Sequence, residues 1–334
     1  MVDIIENDIY KDYPTAFALL LKDQTTQGNI LWASHDYEDR GTGYQSGDEI
    51  KLELITGING DVIKPRVLKS KGNQIDRSKD KAEVFTPSWL CNFQNNIIDE
   101  TWFERRYVFN RDDVDNKTWE PYYTPIQHPA DKPWTNYVAA QRMEITCGEA
   151  PYLVSRYDTT TGEFIPLENR IGLLDRKLRV VSENTQSIGD WLQYAEIAYK
   201  SIYGYEWQGD SLLLAREALL ISFIEYYQCR FHSLPSEDAI TNIAYIISWN
   251  IWQMDGLKFV IPNSCHEEKI VHTDLFESSE ETVPCPGCEK RDYFKHNGIY
   301  CLIKDWEEKD LDSGEYGKTI RFVDLMKKND YGRK

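Results

Sequence analysis

The sequence predicts an α/β protein built on an open, doubly wound sheet, with an N-terminal extension and a small cysteine-rich C-terminal module. Three observations carry that prediction. Strand-like segments recur near residues 144, 206 and 255, each ending in an acidic residue followed by a turn. Amphipathic helical runs separate them, as alternation of strand and helix in a parallel sheet requires. The composition supports a full core: 334 residues, 41% hydrophobic and 13% aromatic, exclude a disordered chain.

Charge and cysteine usage narrow the functional classes. The 38 basic against 55 acidic side chains give a net charge of −17, which argues against nucleic-acid binding through an overall basic surface. No run reaches the ~18 apolar residues of a membrane span. Asp3, Glu6, Asp8 and Asp12 make the N-terminus unlike a basic targeting peptide. Seven cysteines are an odd number, and four fall between residues 265 and 301, a pattern that fits a reducing compartment with one metal site. The expectation is a cytoplasmic protein with no membrane partner.

In chain order, residues 1–80 read as a mixed N-terminal region, with a strand at Gly28–Ala33 and a half-exposed strand at Glu49–Leu54. Between Lys64 and Lys81, seven basic residues face two acidic ones. Lys64, Arg66, Lys69, Lys71 and Arg77 are the candidate DNA-contacting residues, weighed against a plain solvated loop. Residues 81–262 form the expected cofactor-binding domain. Pro87 opens a helix to Asp99, with Trp89, Leu90, Phe93 and Ile97 on its apolar side. Residues 102–133 read as a long loop. Helices are expected over Ile188–Ser201 and Gly209–Tyr227, and Ala239–Trp252 reads as a helical or strand-bearing apolar stretch. After Pro262 the composition turns acidic, with fourteen acidic and six basic residues over Ser264–Gly317, so residues 263–334 are assigned to a separate module.

The segment Glu144-Ile-Thr-Cys147-Gly148-Glu-Ala150-Pro-Tyr152-Leu153 joins a strand end to a small-residue turn, where backbone approaches a ligand closely. Glu206 ends a second strand before a helix, the position from which an acid meets ribose hydroxyls. Asp255 stands at a third strand end. Together with Phe85, Thr86 and Pro87, these residues resemble the gamma-class adenine-specific DNA methyltransferases, the modification subunits of restriction systems. The chain also resembles small proteins labelled restriction endonuclease subunit M. The resemblance spans about residues 80 to 262.

What the resemblance implies is a Rossmann-like S-adenosylmethionine-dependent methyltransferase fold. Phe85, Thr86 and Pro87 match a Phe-Thr-Pro motif. Glu144, Cys147 and Gly148 match the Asp-Pro-x-Cys-Gly-x-Gly loop around the methionine part, with Ala150 in place of its second glycine. Glu206 falls on the ribose-binding acid and Asp255 on the adenine-contacting one. The implied partners are DNA and a restriction or specificity subunit. Two departures bear on catalysis. Glu144 and Glu206 stand far apart in sequence, so an insertion over about 159–188 is expected at the surface, where Arg170, Arg176, Lys177 and Arg179 could meet phosphate. The family's Asn/Asp-Pro-Pro-aromatic tetrapeptide is absent, and Ile261-Pro-Asn-Ser264 occupies its region. No catalytic residue is therefore named, and a non-catalytic subunit that binds cofactor or partners stands as the alternative.

Cys285-Pro-Gly-Cys288 is a C-x2-C knuckle, and His296 and Cys301 follow closely enough to complete a tetrahedral site. The expected ligands of a structural zinc are Cys285, Cys288, His296 and Cys301, with Cys265, His266 and His272 as rivals for the last two places.

Overall fold

Apolar side chains at helical spacing build the larger of two compact units, Met1–Leu21, Lys51–Tyr205 and Asp210–Ile251. The second comprises Lys22–Ile50, Glu206–Gly209 and Trp252–Lys334. The computed structural model describes residues 6–69, 86–273, 278–311 and 313–329. Phe85, Lys71 and Arg77 lie outside the described residues. None of the described helices is long and apolar enough to cross a membrane.

The elements of the first unit are α1 (Glu6–Asp12), α2 (Pro14–Leu21), α3 (Leu52–Ile55), α4 (Ser88–Phe103), β1 (Asn110–Asp113), β2 (Thr118–Pro121), α5 (Trp134–Ala139), β3 (Arg142–Glu144), α6 (Leu173–Asn184), α7 (Ile188–Lys200), β4 (Ile202–Glu206), α8 (Gly209–Phe231) and α9 (Glu237–Asn250). Strand β5 (Ile251–Gln253) follows α9 without a loop. Strands β3, β4 and β5 form one sheet in that order, and β3 runs parallel to β4 with Glu144 opposite Gly204. The mixed α/β class is as expected.

Helix starts follow capping chemistry. Ser187 accepts the Asp190 amide at the head of α7, and Ser236 accepts the Ala239 amide at the head of α9. Burial of Trp191, Tyr199, Phe223 and Tyr227 knits α7 to α8, with Trp191 5.6 Å from Phe223 and 5.5 Å from Tyr227 between ring centres. Arg216 of α8 is fully buried and donates to the carbonyls of Leu20, Ser248 and Ile251, tying α2, α9 and β5 together. At the α9–β5 junction, the Asn250 amide group donates to the carbonyls of Tyr199 and Ile202, the residues that lead into β4.

Two expectations change here. The segment 102–133 contains the antiparallel hairpin β1–β2, whose short strands are too polar to show an alternation. Glu49 pairs with Leu31 as extended chain, but the backbone turns helical at Leu52.

The insertion between β3 and β4 is no surface loop. Arg170, Arg176 and Lys177 are buried at 8%, 1% and 1% exposure, so the expectation that they are solvated or meet phosphate is corrected. Arg176 pairs with Asp99 at 2.5 Å and donates to Asn92 and Asn96, each at 2.8 Å. Arg170 and Arg156 share the Glu225 carboxylate. The Lys177 ammonium donates to the Val138 and Ala140 carbonyls and the Ser201 hydroxyl, which uses all three of its donors. Arg179 reaches Glu183 and the Thr124 carbonyl. Lys177 thereby fastens the residues that lead into β3 and β4.

The second unit contains β6 (Glu268–Thr273), β7 (Ser278–Val283), α10 (Pro286–Lys290), β8 (Leu302–Lys309), β9 (Tyr316–Arg321) and α11 (Asp324–Asn329). Its hairpins β6–β7 and β8–β9 are antiparallel. The two units interleave along the chain, unlike the linear division drawn from composition. The reason is local: the Gln253 side chain bonds both the amide and the carbonyl of Leu31, adding residues 22–50 to the C-terminal segment.

Candidate functional site

In the first unit, two of the sequence motifs meet. Pro87 precedes α4 in extended conformation, and the Ser88 amide at the helix start donates to the Asp158 carboxylate at 2.7 Å. The Thr86 carbonyl accepts the Thr159 hydroxyl and the Cys91 thiol. Thr86 also hydrogen-bonds the half-buried Tyr152 hydroxyl through its side chain. Burial raises the Tyr152 pKa, and the neighbouring Cys91 and Glu144 charges push in the same direction. Asn95 of α4 donates to the carbonyls of Tyr152 and Ile171. Thr86 thus lies against the Glu144–Leu153 loop.

That loop closes on itself. Glu144 is buried at the end of β3, and its carboxylate accepts the amides of Tyr152 at 3.4 Å and Leu153 at 3.2 Å. The Cys147 amide donates to the Tyr205 carbonyl, which fastens the turn to β4. The Cys147 thiol is buried against Gly204, where an added Cβ would come within 3.3 Å of the sulfur. Thr146, Gly148 and Ala150 have φ of 48°, 54° and 59°. Left-handed backbone suits Gly148 and strains the other two, and such strain persists only where the surroundings over-determine it. Ala150 therefore adopts the left-handed φ that its glycine counterpart in the resembled motif would take without strain.

The basic strip gives a different result. Lys69 turns inward, its ammonium 2.8 Å from Asp210 at the start of α8, with the two side chains 9% and 0% exposed. Its charge is neutralised within the unit, so Lys69 is not presented to DNA. The Arg66 amide donates to Glu149, while the Lys64 and Arg66 residues remain half-buried.

In the second unit, Glu206 ends β4 and its carboxylate accepts the Gln208 amide at 3.1 Å, while its carbonyl accepts the Met254 amide. Asp255 closes a tight turn. Its carboxylate accepts the Leu257 and Lys258 amides at 3.0 and 3.2 Å and lies 3.5 Å from the Lys258 ammonium.

The cysteine module assembles a group that could hold a metal ion: Cys265, Cys285, Cys288 and His296, with all ligand atoms within 4.8 Å of one another. The three sulfurs stand 3.5, 3.6 and 3.6 Å from His296 Nδ1. A tetrahedral ion with bonds of ~2.3 Å to sulfur and ~2.0 Å to nitrogen separates those atoms by ~3.6 Å. Cys285 precedes the short helix α10, whose Pro286 starts it and whose Cys288 projects from it. Gly287 permits the close approach of the histidine, since a Cβ there would lie 2.5 Å from the His296 nitrogen. Burial would raise the Cys285 thiol, yet hydrogen bonds from the Asn297 and Cys288 amides and from His296 bring it down to about 6. Burial and the adjacent Cys285 charge push Cys265 up to about 12.

Cys301 is not part of the group, which corrects the expected ligand set. It is fully buried at the edge of β8, and its thiol donates to the Gln253 carbonyl at 3.3 Å. Burial raises its pKa well above the usual thiol range. Cys265, a rival at the sequence level, takes the fourth place because the β6–β7 hairpin returns the chain from Cys265 to Cys285.

No protein-family model matches this chain, and no curated protein or solved structure matches it significantly.

Proposed function

We propose that the protein is an S-adenosylmethionine-dependent methyltransferase of doubly wound, Rossmann-like architecture, acting on the adenine amine of DNA within a restriction–modification or defence system. The observation that carries the reading is the meeting of Thr86 and Pro87 with the strained Glu144–Leu153 loop, two motifs distant in sequence that the resemblance assigns to one cofactor. The order β3-β4-β5, with β3 parallel to β4, supports it further. Ligands of doubly wound sheets lie beyond the carboxyl ends of the strands.

The resemblance assigns the Cys147–Gly148 turn and Thr86 to the methionine portion, Glu206 to the ribose hydroxyls and Asp255 to the adenine amine. When bound, S-adenosylmethionine would supply an electrophilic methyl group. The chain's task is then to hold the acceptor amine in line and exclude water. Base extrusion needs a flat aromatic wall. Trp89, Trp119 and Phe164 line a cavity of about 560 Å³ beside Pro87, which supports a planar ligand there despite the missing Pro-Pro-aromatic tetrapeptide. The Cys265–Cys285–Cys288–His296 group holds a structural zinc, since four protein ligands leave no open position for water.

Glu206→Ala should abolish S-adenosylmethionine binding in calorimetry, with folding checked by circular dichroism. Unchanged binding would sink the cofactor assignment. Methyl transfer from tritiated cofactor to mixed DNA, with and without neighbouring gene products, then tests the reaction. Binding without transfer in either mixture would favour the non-catalytic subunit, a reading that the absent tetrapeptide supports.

A further inference from the structure

We propose that the metal held by Cys265, Cys285, Cys288 and His296 clamps the Asp255–Ile261 turn and thereby fixes the direction of the Asp255 carboxylate. Its functional consequence rests on the reading of Asp255 as a cofactor ligand, whereas the clamp itself rests on the hydrogen bonds around the turn.

The turn is held at two levels. Within it, the Asp255 amide donates to the Val260 carbonyl at 2.8 Å, and the Phe259 amide returns to the Asp255 carbonyl at 2.7 Å. Outside it, a short ladder joins it to the segment after His296. The Ile261 amide donates to Ile299, the Cys301 amide donates to Phe259, and Val260 bridges Tyr300. Both strands of this ladder run directly into metal ligands: Cys265 lies four residues beyond Ile261, and His296 lies three before Ile299. The intervening residues are bonded across the gap. Ser264 Oγ accepts the Ile299 amide and donates to the Ile261 carbonyl, while the Tyr300 hydroxyl accepts the His296 amide.

Two features show that the turn needs an external hold. Phe259 and Asn263, on either side of the ladder, both have φ of 61°. A bulky aromatic residue in left-handed backbone is costly and survives only when its neighbours enforce it. The ladder is also short and joins segments roughly forty residues apart, so its own few bonds must meet a loop-closure cost. A metal at its end removes that cost, because metal binding is coupled to folding of the residues it joins. Charge works in the same direction. Three thiolates around a divalent ion leave one net negative charge, and Lys258 lies between that centre and Asp255, with Cys288, Cys265 and Asp255 all acting on its ammonium.

The test compares the zinc-loaded full chain with the same chain after chelation, and with Cys265→Ser, with metal content measured in each. Hydrogen exchange at the amides of Asp255, Phe259, Ile261 and Cys301 should accelerate by about tenfold or more when zinc is lost, while α8 amides keep their protection. S-adenosylmethionine affinity should fall with it. Unchanged exchange at these four amides after verified zinc loss would overturn the clamp. So would an equal acceleration through β8–β9, which would make the metal a general folding requirement of the unit. If the zinc-loaded chain binds no S-adenosylmethionine, the functional reading of Asp255 fails and the exchange result still decides the clamp.

Discussion

Two buried polar clusters in the first unit handle charge in opposite ways. Around Arg176, the carboxylate of Asp99, the carbonyl oxygens of Asn92 and Asn96 and the ring of Phe109 surround the guanidinium, and Tyr137 donates to the other Asp99 oxygen. At Glu217 on α8, both carboxyl oxygens are buried and accept no hydrogen bond among the described residues, and the charge of Glu6, another buried acid, acts on it. A charge can be retained in the interior only when partners replace water. The Arg176 cluster keeps its ions. The Glu217 corner keeps its protons instead.

The sharpest way to break that contrast is to remove the ion from the first cluster. Arg176→Ala would leave Asp99 buried without its cation and should destabilise the unit by about 3–5 kcal/mol, read as a fall in the denaturation midpoint. A loss below about 1 kcal/mol, the range of exposed pairs, would show that water reaches the cluster. The second test concerns protons. Burial raises Glu6 to about 8, with the Asp61 charge adding to the effect, and burial with the Glu6 charge raises Glu217 well above the usual range. A carboxyl whose folded pKa is raised binds its proton more tightly in the folded state. Its stabilising contribution is complete below the ordinary value of 4.5 and is lost as pH climbs towards about 8. Glu6→Gln should therefore flatten the decline in stability between those values, and Glu217→Gln should raise stability on the alkaline side of the usual carboxylate range. A wild-type stability curve that rises with pH across this window would contradict the protonated state.

The Glu144 loop stands between these extremes. Its carboxylate is answered by two amides, but its backbone is strained at the exposed residue Thr146. Thr146→Gly should relieve that strain and stabilise the unit by about 1 kcal/mol, the smallest of the three effects. If the strain serves binding, the gain in melting temperature comes with weaker S-adenosylmethionine affinity; an equal or tighter affinity would separate the strain from function.

Much of this was legible in the amino-acid pattern, and the exceptions have physical causes. The α4, α7, α8 and α9 helices were visible because their apolar residues keep helical spacing over three or more turns. Hairpin β1–β2 was hidden because its four-residue strands, Asn-Arg-Asp-Asp and Thr-Trp-Glu-Pro, carry almost no apolar side chains to alternate. Cys285 and Cys288 followed from knuckle spacing, and His296 was expected beside His266 and His272 as rivals. The choice between Cys265 and Cys301 did not, since it depends on which way a strand-edge thiol faces, and Cys301 faces the Gln253 carbonyl. Lys69, Arg170, Arg176 and Lys177 looked like surface cations because nothing in a local window reveals a partner such as Asp210, Glu225, Asp99 or Ser201, which lie 20 or more residues away. A basic run is therefore a weak guide to a phosphate-binding face.

The β6–β7 hairpin has one more implication. It leaves the cysteine–histidine group at Cys265 and returns at Cys285, so a metal ion held there would fasten both of its ends. A loop pinned at its base pays little for extra length, about 0.6 kcal/mol for each doubling. The stretch between those two cysteines should thus tolerate a gain or loss of residues, and an epitope or fluorescent tag inserted within it should leave the ligand geometry undisturbed.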